Sequence, residues 1–284
     1  MKKLWVLLLS AYLGLGTLVA QDFNTLKQQA QKGDASAQYN LGLMYDLGRG
    51  VPQDYVQAMK WYRLAADQNY APAQGNIGQL YYRGEGVPQD FSQALKWYRL
   101  AADQGNARAQ TSLGLMYLNG EGVPQDYVQA AKWTRLAADQ GYAQAQSRLG
   151  LMYFFGRGVP QDDAQAVKWF RLAADQGYAS AQFNLGFMYV LGRGVPQDNA
   201  QAMKWTRLAA DQGHAGAQGN LGYMYRNGEG VPQDDVQAHK WFNLAADQGD
   251  ENGAENRDLV AKRMTPQQIA QAQELARNWK PKKK

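Results

Sequence analysis

The side chains best suited to catalysis or metal binding are two histidines, and the chain contains no cysteine. His214 falls in a turn expected between two helices and His239 on a helix, with no second His or Cys at metal-ligand spacing. No Gly-x-Ser-x-Gly elbow occurs, and the Gly-x-Gly pairs run into Val-Pro rather than into a helix that could hold a phosphate. We therefore expect no catalytic residues, no metal, no cofactor and no enzymatic activity.

Acidic residues recur in two identical settings, the Asp of each Pro-Gln-Asp and the Asp of each Ala-Ala-Asp-Gln. A sixfold array of the same acid is typical of helix caps and hydrogen bonds between repeats, rather than of six active sites. These carboxylates are therefore interpreted as structural.

The elements that carry these residues follow a strict period. Val-Pro-Gln-Asp begins every 36 residues, at Val51, Val87, Val123, Val159, Val195 and Val231. A unit of this size cannot bury a hydrophobic face alone, so neighbouring copies must stack. With 45% apolar and 19% charged residues, the composition favours closely packed structure over disorder. We call the copies repeats 1 to 6, the first beginning at Ala35.

The pattern of each repeat predicts two helices. In repeat 1, apolar spacing predicts helix A over residues 35–47, and Pro52 and Asp54 separate it from helix B, residues 55–68. Gly42, inside helix A, predicts close helix approach, with Trp61 as its large counterpart on helix B. The buried stripe of helix B is predicted to include Leu64. The fold class expected is all-α.

The pattern Ala-x-Ala-Gln-x-x-Leu-Gly-x-Met-Tyr-x-x-Gly-x-Gly-Val-Pro-Gln-Asp, followed by Ala-x-Lys-Trp and Leu-Ala-Ala-Asp-Gln-Gly, resembles the Sel-one-like repeat (SLR), a relative of the tetratricopeptide repeat. Six complete copies cover residues 35–250. The resemblance implies a right-handed α-solenoid superhelix of antiparallel helix pairs. It also implies an adaptor role, with exported bacterial members associated with envelope, host-interaction and toxin-immunity functions, and it implies no shared catalytic residues.

The two ends differ from the repeats. Residues 1–20 are typical of a secretory signal peptide cleaved after Ala20, which predicts a periplasmic or secreted protein; an uncleaved anchor is the alternative. Residues 21–34 are expected to form a capping half-repeat, and residues 251–279 to form capping helices whose last apolar stripe runs from Ile269 to Trp279. Residues 280–284 form a basic tail, expected to be solvated.

Charge argues against a nucleic-acid partner. The formal net charge is +5, and removal of Lys2 and Lys3 with the signal peptide leaves +3. Four positive charges lie in the last five residues, so the repeats themselves are close to neutral. Membrane contact is not expected beyond an effect of this basic tail on anionic surfaces.

Candidate binding residues lie where the copies differ, on the exposed face predicted for helix A. Many of these positions are apolar, most densely in repeats 4 and 5, which predicts a protein-binding groove centred there. The predicted partner-binding residues are Tyr39, Tyr82, Leu118, Arg148, Leu151, Phe154, Phe155, Phe183, Phe187, Val190, Leu191, Tyr223 and Arg226. The alternative is that such residues are half-buried against the next helix and belong to the core.

The function expected is a non-enzymatic scaffold of the bacterial periplasm or cell envelope that holds a protein in a concave groove lined by helix A. Two alternatives stay open. One, suggested only by the resemblance, is an immunity protein that neutralises an antibacterial secreted toxin, such as a type VI secretion lipase effector. The other is a peptidoglycan or carbohydrate binder or hydrolase, which the predicted burial of the repeated Trp residues disfavours.

Overall fold

A computed structural model describes residues 23–282 of the chain, and every regular element in that range is helical. The predicted signal peptide and its cleavage point after Ala20 lie outside the described residues, as do Lys283 and Lys284 of the basic tail. Within residues 23–282, no helix combines the length and the apolar character that crossing a membrane requires.

The chain divides into two units, the first ending at Ala137 and the second beginning at Ala138. The first contains α1 (23–31), α2 (Ala35–Leu47), α3 (Tyr55–Ala66), α4 (Ala71–Arg83), α5 (Phe91–Asp103), α6 (Ala107–Asn119) and most of α7 (Tyr127–Asp139). The second contains α8 (Ala143–Phe155), α9 (Asp163–Asp175), α10 (Ala179–Leu191), α11 (Asn199–Asp211), α12 (Ala215–Asn227), α13 (Asp235–Ala246), α14 (Glu251–Ala261) and α15 (Pro266–Arg277). The expected all-α fold of stacked 36-residue helix pairs is confirmed.

Turns between helix A and helix B are built from glycines and one acidic cap. In repeat 2, Gly84 ends α4 in the left-handed region at φ 72°, and its N–H donates to the Leu80 carbonyl. Gly86 also has positive φ, and a Cβ there would lie 2.7 Å from the Tyr55 carbonyl carbon of the preceding repeat. Asp90 then caps α5 by accepting from the Gln93 N–H at 2.9 Å. The repeated Pro-Gln-Asp acids are therefore helix caps, as expected.

The glycine inside helix A does permit close approach, but its counterpart is not the Trp. A Cβ on Gly150 would lie 2.6 Å from Cδ1 of Phe170, the residue after Trp169. In repeat 3 the same position holds Thr134, whose Oγ1 faces Gly114. The prediction that the Trp meets the glycine is thus wrong. On helix B, the residue after the Trp faces the helix A of its own repeat.

The leucine of helix B is also placed differently from the prediction. Leu64 is 40% exposed, so it does not belong to the buried stripe with Ala58, Trp61 and Ala65. The same position is 48% exposed at Leu100. Only in repeat 6 is this leucine buried, where the closing helix α15 packs against α13. Elsewhere these leucines form part of the solvated surface of helix B.

Glutamines link each repeat to the one before it. Gln110 of helix A is buried and donates through Nε2 to the carbonyl of Ala102, at the end of the preceding helix B, at 3.1 Å. Within repeat 2, Gln104 donates to Gln74 Oε1 at 2.6 Å. Buried amides satisfied in this way fix the spacing of neighbouring repeats because an unpaired buried polar group is costly.

The N-terminal helix α1 covers the first repeat. Ala30 is almost fully buried, and its carbonyl accepts from Gln38 Nε2 at 3.1 Å. Phe23 packs edge-on against Tyr45 with ring centroids 6.4 Å apart. These contacts place α1 where a preceding helix B would lie.

The C-terminal segment covers the last repeat. Thr265 forms a capping box with Gln268 at the start of α15, and Trp279 packs edge-on against Trp241 at 6.2 Å. Beyond the helix, the Lys282 N–H donates to the Asp211 carbonyl at 2.8 Å, and Lys282 Nζ lies 2.7 Å from Asp211 Oδ2. The described part of the tail is thus exposed, with the Lys282 side chain 76% exposed, and it is also paired with Asp211.

Candidate functional site

The second unit contains an apolar pocket between the helix A of repeat 4, α8, and that of repeat 5, α10. Its volume is about 170 Å³. It is lined by Leu151, Phe154, Phe155, Phe170, Phe183, Asn184, Phe187 and Met188. We call it the phenylalanine pocket.

Helical spacing brings the wall residues together. Leu151, Phe154 and Phe155 lie three and four residues apart on α8, so they share one face of that helix. Phe183 and Phe187 lie one turn apart on α10 and form the opposite wall. The floor is formed by buried Phe170 and Met188.

The walls of the phenylalanine pocket are open to solvent. Phe155 is 56% exposed, Phe187 38% and Leu151 37%. Phe154 and Phe183 are half-buried. Phe154 and Phe183 also pack against the core, as the alternative interpretation of the sequence expects, whereas Leu151, Phe155 and Phe187 are more than one-third exposed.

Several aromatic contacts hold the walls in place. Phe154 and Phe155 pack edge-to-face with ring centroids 4.9 Å apart, and Phe183 stacks on the His214 ring at 4.8 Å. Fixed rings of this kind lose little conformational freedom when a ligand binds, so the pocket is already formed.

Arginines surround the mouth of the pocket. The Arg193 guanidinium lies 4.2 Å above the Phe154 ring, and that of Arg157 lies 5.1 Å above Phe155. Arg193 also pairs with both carboxylate oxygens of Asp163 at 2.8 Å. That hydrogen-bonded pairing raises the pKa of Arg193. The pocket is thus apolar inside, with the Arg193–Asp163 ion pair and the Arg157 guanidinium beside its aromatic walls.

Arg148 lies on α8 one turn before Leu151 and is half-buried. Its Nε is inaccessible to solvent and has no hydrogen-bond acceptor among the described residues. Burial lowers the pKa of its guanidinium, and the nearby Tyr178 opposes that change to a smaller extent. This predicted residue therefore does not line the pocket, but it lies one helical turn from the wall residue Leu151 and has no protein partner for Nε.

Two further predicted residues of repeat 5 lie on α10 but do not line the pocket. Val190 is half-buried and packs against the core, while Leu191 at the end of the helix is 46% exposed.

Three predicted residues belong to the first unit. Tyr39 packs against the rings of Tyr62 and Tyr70 at 5.9 and 5.4 Å, respectively. Tyr82 is half-buried and its hydroxyl donates to Glu121 Oε2 at 2.9 Å, while Leu118 is half-buried. Their polar or packing requirements are met within the unit.

The predicted residues of repeat 6 contact the C-terminal cap. Asn256 of α14 donates to the Tyr223 hydroxyl at 2.6 Å and accepts from Arg226 Nη1 at 2.6 Å. The Arg226 guanidinium also lies 4.9 Å from the Tyr223 ring. Tyr223 and Arg226 therefore help to hold α14, and the structure does not bring them to the phenylalanine pocket. The sequence pattern could not show this because α14 departs from the repeat.

Three pocket residues were absent from the predicted set, Phe170, Asn184 and Met188. The predicted residues are variable positions on the outer face of helix A, whereas Phe170 is on helix B and Met188 recurs in most repeats. One signal was available for Phe170, because the residue after the Trp alternates between aromatic side chains and Thr.

Both histidines have structural surroundings. His214 Nδ1 accepts from the Ala217 N–H at 3.2 Å and caps α12, and burial lowers its pKa. His239 is 3% exposed on α13, and burial followed by the charge of Arg257 lowers its pKa. Among residues 23–282, no group of three or more His, Asp or Glu side chains is arranged to hold a metal ion.

Comparison with known proteins identifies the repeat. The sequence profile of the Sel1 repeat matches six consecutive segments, residues 35–70, 71–106, 107–142, 143–178, 179–214 and 215–250. A crystal structure of a Sel1 repeat protein from Oxalobacter formigenes is 31% identical, covering 81% of this chain and 96% of that one, with a TM-score of 0.71. That of c5321, described as a protective antigen present in uropathogenic Escherichia coli strains displaying an SLR fold, is 28% identical over 92% of this chain and 87% of that one, with a TM-score of 0.50.

One curated relative matches locally. The ERAD-associated E3 ubiquitin-protein ligase component HRD3A of Arabidopsis thaliana is 45% identical over 49 residues, which is 17% of this chain. The matched segment spans only 7% of that protein. The similarity therefore concerns the repeat and not the whole relative.

Proposed function

This chain belongs to the Sel1 repeat family, and on that premise we propose that it is a non-enzymatic scaffold that binds another protein at the phenylalanine pocket. The observation that carries the proposal is the exposure of Leu151, Phe155 and Phe187 around one concave apolar site. Exposed apolar clusters on a protein surface mark sites of interaction because water contact with them is unfavourable.

The chemistry of the pocket suits an apolar side chain of a protein partner. Its volume of about 170 Å³ is close to that of one large side chain, and every lining residue except Asn184 is apolar. Fixed aromatic walls and arginines at the edge are characteristic of the anchor sites of protein interfaces. A site for transferring groups would need nucleophilic or acid–base side chains, and the lining contains none.

The location we propose is periplasmic or secreted. The support is the N-terminal sequence, in which two lysines precede an uncharged stretch from Leu4 to Ala20. The chain contains no cysteine, so it has no thiol that an oxidising compartment could oxidise. Mass spectrometry of the protein recovered from its host tests this proposal. A mature N-terminus at Gln21 in the extracytoplasmic fraction supports it, and an intact N-terminus in the cytosol contradicts it.

The binding proposal is tested by affinity capture with a single-site variant. Phe155→Asp places a charge in the open wall, and because Phe155 is 56% exposed, the fold should tolerate the change. Capture from extract of the producing cell, with quantitative mass spectrometry, should recover one partner with the unaltered protein and at least tenfold less with the variant.

Leu47→Asp is the matched control. Leu47 occupies the corresponding position at the end of α2 in repeat 1 and is 49% exposed, but it lies in the other unit. The control should retain the partner. Equal loss in both variants would indicate a general surface effect, and equal recovery in both would contradict the proposed site.

The identity of the captured protein separates the finer alternatives. A cell-envelope protein supports an adaptor of the envelope. A toxin encoded by a neighbouring gene, together with loss of resistance to that toxin when Phe155→Asp replaces the natural chain, supports an immunity role. Binding of purified glycan strands, without competition from an envelope protein or a toxin, would favour the carbohydrate alternative.

A further inference from the structure

Arg148 is the most unusual charged group beside the phenylalanine pocket. Five other repeats place a smaller neutral residue at this position of helix A, namely Asn40, Asn76, Ser112, Asn184 and Asn220. An arginine is therefore not needed for the repeat to fold. Its presence only in repeat 4 sets that repeat apart.

The surroundings of Arg148 do not neutralise it. In the part of the chain that the structure describes, none of the salt bridges involves Arg148, and its buried Nε has no acceptor. Placing a guanidinium in a partly buried site without a carboxylate is unfavourable, because the lost hydration is not replaced. Other arginines of this unit are satisfied, such as Arg193 by Asp163.

Arg148 shares a helix face with the pocket. Leu151 and Phe155 follow it by three and seven residues on α8, which places all three along one side of the helix. A ligand seated against Leu151 therefore lies about one helical turn, roughly 5 Å along α8, from the position of Arg148, which is outside the pocket lining.

We infer that the pocket takes an acidic segment of the partner protein, with an apolar side chain among the phenylalanines and an Asp or Glu carboxylate paired with Arg148. This inference rests on the protein-binding function proposed above. A carboxylate of the partner supplies the counter-ion that Arg148 lacks among the described residues, and charge-assisted hydrogen bonds are the strongest of their kind in proteins. The exposed guanidinium of Arg157, which lies 5.1 Å from the Phe155 ring, favours the same sign of charge.

The charge requirement is tested with two fluorescent probes that differ only in one anionic group. 1-Anilinonaphthalene-8-sulfonate carries a sulfonate in place of the carboxylate, and N-phenyl-1-naphthylamine is its neutral analogue. We expect Arg148→Asn to weaken binding of the anionic probe about tenfold or more, which is the effect of losing a charge-assisted pair. Binding of the neutral probe should stay within about twofold of the unaltered protein.

Two control variants make the probe experiment decisive. Phe187→Ser removes a wall residue and should weaken both probes, which shows that they occupy the pocket. Arg157→Gln removes an exposed charge and should change the anionic probe less than Arg148→Asn does. Equal binding of both probes to the protein and to Arg148→Asn would overturn the inference. Failure of either probe to respond to Phe187→Ser would instead count against the pocket and thus against the proposed function.

The segment itself is tested by selecting random peptides displayed on phage against the immobilised protein. The enriched sequences should contain Asp or Glu within about four residues of Phe, Leu or Trp, the spacing of one helical turn. Selection against Arg148→Asn should keep the apolar residue and lose the acid. Enrichment of apolar sequences without an acid, or the same acidic sequences from Arg148→Asn, would overturn the inference.

Discussion

Two places in this protein have the same position in the repeat but opposite surface chemistry. The phenylalanine pocket of repeats 4 and 5 corresponds, 72 residues earlier, to the faces of α4 and α6 in the first unit. There, Gln79, Tyr82 and Arg83 replace Leu151, Phe154 and Phe155, and Thr111 and Leu115 replace Phe183 and Phe187.

Polar groups in the first unit satisfy one another. Arg108 donates to Gln79, the Tyr82 hydroxyl donates to Glu121, and the Thr111 hydroxyl donates to the Ala107 carbonyl at 2.8 Å. The phenylalanine pocket has no such pairing because its walls carry almost no polar atoms. The two faces share the same repeat backbone, so the five side chains that differ decide whether polar groups pair within the unit or an apolar pocket stays open.

The largest effect is expected at the floor of the pocket. Phe170 is 1% exposed and packs against Gly150, so Phe170→Ala leaves a cavity and should lower the free energy of unfolding by about 3–5 kcal/mol. Urea unfolding followed by circular dichroism measures the change. The control is Thr134→Ala at the same position of repeat 3, which removes far less volume and should cost clearly less. Equal losses would show that Phe170 is not a packing centre.

Replacing the wall residues of repeat 4 with those of repeat 2 should remove the apolar surface of the pocket. The triple variant Leu151→Gln, Phe154→Tyr, Phe155→Arg gives repeat 4 the wall residues of repeat 2 and should reduce binding of N-phenyl-1-naphthylamine at least tenfold, about 1.4 kcal/mol. Thermal unfolding should change little, because two of the three positions are more than one-third exposed. A variant that binds the probe as before would contradict the assignment of these walls to the pocket.

The two units should differ in their response to acid, because both histidines lie in the second. Burial lowers the pKa of His239 and His214 below the usual value of about 6.5, so the unfolded chain binds protons more readily. The contribution of the neutral histidines to the free energy of unfolding is fully present above about pH 6.5, and it is lost as the pH falls toward their pKa in the folded protein. Hydrogen exchange at about pH 7.5 and about pH 5.5, corrected for intrinsic rates, should show protection lost in the second unit first.

His239→Met isolates the contribution of the more buried histidine. Methionine occupies the same position at Met59 and Met203, so the substitution fits the repeat. The variant should lose less protection around α13 on acidification than the unaltered protein. The same loss in both would show that other groups control the acid response.

The smallest effect is expected from a reciprocal exchange of one hydroxyl. Tyr82→Phe removes the bond to Glu121 and should cost about 0.5–1.5 kcal/mol, the usual net value of a hydrogen bond. Phe154→Tyr at the corresponding place in the second unit adds a hydroxyl without removing a bond and should change stability by less. Chemical unfolding of both variants checks this order. A larger loss in Phe154→Tyr would mean that the pocket wall is more tightly packed than its half-burial indicates.

Much of the fold follows from the sequence because its causes are local. Gly84 has positive φ where helix A ends, Asp90 caps the next helix, and the 36-residue period places each pair beside the last. The concentration of apolar residues in repeats 4 and 5 also points to the region of the pocket. These features depend on residues within a few turns of one another, where spacing and backbone preferences decide the outcome.

Other features could not be predicted because they depend on contacts between helices. The period alone does not show that Phe170 rather than Trp169 faces Gly150, since one residue is a rotation of about 100° around the helix. The period also does not show that Asn256 of α14 forms hydrogen bonds with Tyr223 and Arg226, because the capping helix departs from the repeat pattern.

The amino-acid sequence by itself determined the repeat, the helix boundaries and the family, since the same local pattern of glycine, cap and apolar residues occurs in six copies. Only the tertiary structure decided which variable side chains are exposed around the pocket, which face a neighbouring helix, and that the buried Nε of Arg148 has no acceptor. The reason is physical. Burial and pairing are properties of surfaces brought together by packing, and residues distant in the chain supply the opposing surface.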